Sequence, residues 1–155
     1  MTNRGFTLME LLIVIALIGI LSAAATFGFS QYSKKSRMAG QTRALYGDLM
    51  EYRAKAFYEK RNWTFKISAA SYGIYSSANT AAAPVTTVYL KHNVEYNNPT
   101  ADIVFDSQGL ANVSSKSVCI SSANDAVVDS VVISKTRVQI GKKGTSCDAN
   151  HIVAQ

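Results

Sequence analysis

The chain has 155 residues, room for one ordinary domain and a short appendage. Its 48% apolar share is uneven, concentrated between residues 11 and 29, and the remainder has the composition of a normal soluble domain. A net charge of +6 favours solubility and anionic surfaces without identifying a nucleic-acid binder, and two cysteines outside any CxxC pair argue against a zinc site or a thioredoxin-like redox centre.

Residues 1–5 read Met-Thr-Asn-Arg-Gly, followed by Phe6-Thr7-Leu8-Met9-Glu10 and an apolar run from Leu11 to Phe29. No charge occurs between Glu10 and Lys34. Roughly 20 apolar residues are what a helix needs to cross a hydrocarbon core. Arg4 precedes the run, and Lys34, Lys35 and Arg37 follow it. An ordinary secretory signal ends in a small-residue cleavage site, which Ala23-Ala24-Ala25 would supply. Such a signal has no use for Glu10, since a carboxylate within a membrane costs on the order of 2–3 kcal/mol at mid-depth. The acid is therefore either tolerated at the interface or a functional site.

Gly5-Phe6-Thr7-Leu8-Met9-Glu10 before an unbroken apolar helix resembles the class III signal of type IV pilins and pseudopilins. The resemblance implies that residues 1–5 are a leader, cut after Gly5 by a prepilin peptidase that also methylates the new N-terminus at Phe6. It implies that residues 6–33 are kept, first as an inner-membrane anchor and then as a filament core packed on other pilins. The head would lie outside the cytoplasm, and an inner-membrane assembly platform would load the subunit into a pilus or periplasmic pseudopilus. Glu10 would pair with the N-terminal amine of an adjacent subunit. A buried carboxylate needs such a partner, and its absence would make wrong axial registers costly. One departure is visible. Many major pilins carry a proline near the end of the apolar stretch, where this chain reads Thr26-Phe27-Gly28-Phe29 and has no proline before Pro84. Gly28 would weaken the helix there by about 1 kcal/mol relative to alanine.

From residue 34 to about 60 the pattern becomes one-sided. Met38, Thr42, Leu45, Leu49, Tyr52 and Ala56 recur at helical spacing, and Asp48, Glu51, Lys55 and Glu59 occupy another face. Glu51 and Lys55 are ordered for an i,i+4 pair. One helix is thus expected from about residue 6 to about 60. Beyond Asn62 the period falls to two. Strands are expected at Trp63–Ile67, across Val88–Tyr96, and at Ile103–Phe105 before a turn at Ser107-Gln108-Gly109. Further strands are expected at Val118–Ile120, Val127–Ile133 and Val138–Ile140. Ser76–Pro84 reads as a loop. The expected class is α+β: a helix whose stripe is buried by an antiparallel sheet in a head spanning residues 34–155.

Arg53-Ala-Lys-Ala56, Lys60-Arg61-Asn62, Ile103-Val-Phe-Asp-Ser-Gln-Gly109 and Val131–Ile140 resemble the minor pseudopilins of GspH/FimT type. Some of that branch bind DNA through a motif resembling Gly-Arg-x-Arg. Here the matching stretch is Thr136-Arg137-Val138-Gln139, with one arginine replaced. Lys135, Arg137, Lys142 and Lys143 are therefore the candidate DNA contacts, because phosphates require only positive groups. The competing reading is a solvated basic edge that discourages strand pairing. If the head is exported, Cys119 and Cys147 are expected to form a disulfide; otherwise they are two unrelated buried thiols. His92 and His151 have no motif partner for nucleophilic or metal chemistry. No catalytic set, metal site or cofactor is expected, and the chain is read as a structural subunit rather than an enzyme.

Overall fold

The computed structural model describes residues 6–97, 102–122 and 124–154, with the side chains of residues 24–28 outside that description. The expected leader, with its cleavage residue Gly5, lies outside the described residues. The chain divides into two compact units, Met1–Lys34 and Lys35–Gln155. A single α-helix, α1, runs from Leu8 to Glu59. In the N-terminal unit the side chains from Phe6 to Ala23 are all exposed. Among the described residues no helix is long and apolar enough to cross a membrane. The apolar run of the sequence reaches that length only by including residues 24–28.

In the second unit the helix has the expected stripe. Thr42, Leu45, Leu49 and Ala56 are buried, and Tyr52 is half-buried against the same core. On the opposite side Lys55 and Glu51 pair at 2.7 Å. Asp48 departs from the polar-face expectation: it is half-buried and accepts a hydrogen bond from the Tyr72 hydroxyl. Burial, then that bond to Asp48, holds the Tyr72 phenol far above its ordinary range. The helix stops at Lys60, whose φ of 52° is the left-handed conformation that ends a helical run.

The expected single sheet is two antiparallel sheets. The first contains β1 (Trp63–Ile67), β2 (Ser71–Tyr75), β3 (Thr86–Tyr89) and β5 (Ile103–Phe105), in the order β3-β2-β1-β5. The second contains β4 (Val94–Tyr96), β6 (Ser115–Ile120), β7 (Ser130–Ser134), β8 (Val138–Lys143) and β9 (Ile152–Ala154), in the order β4-β6-β7-β8-β9. The strand expected across Val88–Tyr96 is in fact two, one in each sheet. The chain leaves the first sheet after Tyr89 and joins the second at Val94, so the even alternation was real but belonged to two ladders. Gln41 holds the crossing: its side-chain amide donates to the His92 carbonyl at 2.7 Å, and its oxygen accepts from the His92 amide at 2.9 Å. His92 thus lies in the crossing rather than on a strand face. β2 and β9 were not anticipated. The strand expected at Val127–Ile133 begins only at Ser130, because Val128 is buried in a small satellite cluster with Ala39 and Ala126 while Val127 faces solvent.

The main core lies between the helix stripe and both sheets. Phe65, Tyr72, Ile74, Ile103 and Phe105 from the first sheet meet Val118, Val131 and Ile133 from the second, together with Leu45 and Leu49. Phe65 meets Phe105 and Tyr52 edge-on, with ring centres 6.2 and 5.7 Å apart.

The turn after β5 forms as expected. Gly109 takes φ 75°, a conformation that favours glycine. Asp106 braces it by accepting from the Gln108 and Leu110 amides. Arg53 then ties the end of α1 to two turns. Its Nε donates to the Gly109 carbonyl at 2.8 Å, and its guanidinium donates to the Thr136 carbonyl between β7 and β8. Arg53, quoted above only as part of a sequence pattern, is therefore a clamp on the head.

Candidate functional site

The N-terminal unit supplies one candidate site. Phe6 and Thr7 precede the first helical residue, Leu8. Thr7 is the N-cap, and its Oγ1 accepts from the Glu10 amide at 3.2 Å. In return Glu10 Oε2 accepts from the Thr7 amide at 3.5 Å. This is a capping box, a Ser/Thr followed three residues later by Glu or Gln, which satisfies two amides that the helix leaves without partners. The carboxylate also sits in the first turn, where the helix dipole favours negative charge. The spacing Thr7-x-x-Glu10 is the sequence signature of this cap, which the acid's place at the head of an apolar run obscures.

Around this cap the helix is apolar on every side. Exposure runs from 42% at Val14 to 77% at Leu8, with no large hydrophobic from Leu8 to Leu21 buried. A surface helix of a globular domain would be apolar on one stripe only. A helix apolar all round requires burial in lipid or among other helices.

The second candidate is the basic C-terminal segment, and the structure does not bring its four cations together. Lys135 and Arg137 lie exposed at the turn between β7 and β8. Lys142 and Lys143 lie at the far end of β8, about 16 Å along an extended strand from Arg137. Both lysines have carboxylate partners. Lys142 Nζ lies 3.1 Å from Asp129 Oδ2 and donates to the Asn124 carbonyl at 2.7 Å. Lys143 Nζ lies 2.9 Å from Glu95 Oε1 and donates to the Ile120 carbonyl at 3.1 Å. Asp129 is buried, and its other oxygen accepts from the Lys143 amide and the Ser130 hydroxyl. Lys142 and Lys143, candidate phosphate contacts in the sequence, thus each face a carboxylate in the fold. Glu95 comes from β4 and Asp129 from the segment just before β7, so sequence spacing carried no sign of them.

Cys119 and Cys147 form a disulfide, with Cα atoms 5.9 Å apart. It ties buried β6 to the segment between β8 and β9. His151 lies in a short 3-10 turn, Ala149–His151, capped by the Asp148 side chain, and it is exposed.

Comparison with known proteins bears on both units. Residues 1–26 match the family model described as the prokaryotic N-terminal methylation motif. The chain is 51% identical over 47 residues to the type IV major pilin protein PilA of Myxococcus xanthus (strain DK1622). That match covers 28% of this chain and only 21% of the relative. Among solved structures, the fold is similar to that of the type IV minor pilin FimU of Pseudomonas aeruginosa in two crystal forms. The TM-scores are 0.55 and 0.57 at 16% identity, covering 70% and 77% of this chain and 98% of FimU in each case. At that identity the likeness is one of fold, a long N-terminal helix with antiparallel sheet.

Proposed function

We propose that this chain, which combines the N-terminal signature of the type IV pilin superfamily with the pilin fold, is a minor subunit of a type IV pilus-like filament. The observation that carries the reading is the helix apolar on every side, headed by Phe6 and Glu10. Prepilin peptidase would cut after Gly5 and methylate Phe6. The helix from residue 6 to 33 would hold the subunit in the inner membrane with its head outside the cytoplasm, then exchange lipid for the helices of other pilins at an assembly platform. Both settings bury the same surface, so the transfer keeps the hydrophobic contribution while changing its partners. The disulfide suits a head exposed to an oxidising compartment. Pilus and secretion pseudopilus share this chemistry.

Co-expression of the full chain with a prepilin peptidase is expected to yield a product that starts at Phe6 and carries one added methyl group, read by intact-mass and N-terminal analysis. A product starting after the Ala23–Ala25 stretch would identify an ordinary secretory signal and overturn the reading.

The DNA-binding alternative is weaker on the geometry. It asks for Lys135, Arg137, Lys142 and Lys143 on one surface, and two of these already face carboxylates. With only two available cations the phosphate contribution, and its salt dependence, is small. The full chain in detergent is expected not to retain duplex DNA at physiological salt in a gel-shift titration. Retention that persists there and disappears in Arg137→Ala would restore the DNA reading.

A further inference from the structure

Among the described residues the two sheets have four edge strands, and three of them are covered or short. β5 is covered on its outer side by residues 111 and 112: Phe105 bridges Ala111, and the Asn112 amide donates to the Val104 carbonyl at 2.9 Å. On the outer side of β4 the Val94 amide donates to the Ala69 carbonyl at 2.8 Å. β9 has only three residues.

β3 is different. Residues 85–90, Val-Thr-Thr-Val-Tyr-Leu, contain no charge and no proline, and are rich in β-branched and aromatic side chains. Val85 and Tyr89 are exposed, Tyr89 at 81%. The Leu90 amide donates to the Ala70 carbonyl at 2.8 Å, on the β2 side. Antiparallel alternation then turns the backbone N–H and C=O groups of Thr87 and Tyr89 to the open side. An uncharged open edge is a template for pairing with another chain, and natural sheets ordinarily blunt such edges with lysine, proline or a cover.

Beside this edge runs a groove of about 330 Å³, lined by Arg37, Gln41, Tyr72, Val88, Tyr89 and Lys91 among others. Neither Arg37 nor Lys91 has a carboxylate partner among the described residues. The surface therefore offers backbone hydrogen bonds along one line, apolar contact beside it and two cations at its border.

We propose that β3 is a strand-addition site whose occupant is an extended, apolar segment of a partner protein, carrying carboxylates that meet Arg37 and Lys91. Main-chain pairing would supply the affinity, and the cations would set the choice and direction of the incoming strand. The surface belongs to the head alone, so the inference does not depend on filament assembly.

The test uses the full chain in detergent micelles and a short fluorescent peptide of alternating Val and Thr with Asp at each end. Its counterparts are a peptide with Lys at each end and one whose pairing amides are N-methylated. Anisotropy titrations are expected to show the Asp peptide binding about fivefold more tightly than the Lys peptide, the size two partly exposed ion pairs allow. Arg37→Ala combined with Lys91→Ala is expected to erase that difference. The N-methylated peptide is expected not to bind. Thr87→Pro, which removes an outward-facing amide at an edge where proline is tolerated, is expected to keep the far-ultraviolet circular dichroism of the parent and lose the peptide. Equal binding of the Asp and Lys peptides, undiminished binding of the N-methylated peptide, or no binding of the Asp peptide overturns the proposal.

Discussion

Glu10→Ala is expected to leave cleavage after Gly5 largely intact and to reduce incorporation into filaments on the order of a hundredfold or more. In the assembled bundle the carboxylate would face the cationic N-terminus of a neighbouring Phe6. Removing one member of a buried ion pair leaves the other charge without compensation and costs about 3–5 kcal/mol, which sets the fold-change. The capping box offers a second explanation for any Glu10→Ala defect, since loss of the cap alone destabilises a helix start by about 0.5–2 kcal/mol. Glu10→Gln separates the two. Glutamine serves at this position of a capping box as glutamate does, but it carries no charge for a neighbouring amine. The expected result is that Glu10→Gln keeps the cap and fails in assembly nearly as badly as Glu10→Ala. Quantitative blotting of sheared filaments against membrane-held subunit gives the ratio. Normal incorporation of Glu10→Gln would falsify the charge-pairing role and leave Glu10 as a helix cap only.

Removing the disulfide is expected to produce the largest loss of stability in the head. The bridge closes a loop across a separation of 28 residues, worth about 3–4 kcal/mol in the chain-entropy treatment. Cys119 is buried on β6, so Cys119→Ala adds a small void to the loss of the crosslink. What the bridge secures is the run between β8 and β9. There Gly144 and His151 exchange backbone contact, the Gly144 amide donating to the His151 carbonyl at 2.9 Å. The double variant Cys119→Ala, Cys147→Ala should therefore unfold at lower denaturant while β9 loses protection first. Trp63 is the one tryptophan in the chain and is buried in the head, so its fluorescence follows head unfolding. Urea titration of oxidised parent and double variant, in the same detergent, gives the difference. A change below about 1 kcal/mol would show that the C-terminal segment is held by its strand pairing, not by the crosslink.

Several sequence expectations survived contact with the fold because they rest on local periodicity. The stripe from Thr42 to Ala56 follows from helix geometry alone, and the Ser107-Gln108-Gly109 turn from the freedom of glycine at positive φ. The failures have different causes. β2 was hidden because Gly73 interrupts an otherwise alternating Ser-Tyr-Gly-Ile-Tyr run, and its strand character comes from pairing with β1 on one side and β3 on the other. The Val88–Tyr96 alternation was read as one strand because a period of two is blind to which ladder a residue joins. The partners of Lys142 and Lys143 were hidden because sequence lists cations without the carboxylates that fold against them.

The character of the N-terminal segment is legible from local composition and order alone. A helix apolar on every side, a small residue before Phe6 and an acid at Glu10 are local facts, and the solvent such a helix needs follows from composition. Tertiary structure alone decided the division into two sheets, the burial of Asp129 against Lys142, the Asp48–Tyr72 bond and the open edge at β3. Each depends on which distant segments meet. A backbone donor is satisfied or left open, and a charge neutralised or available, only after the strands have been ordered.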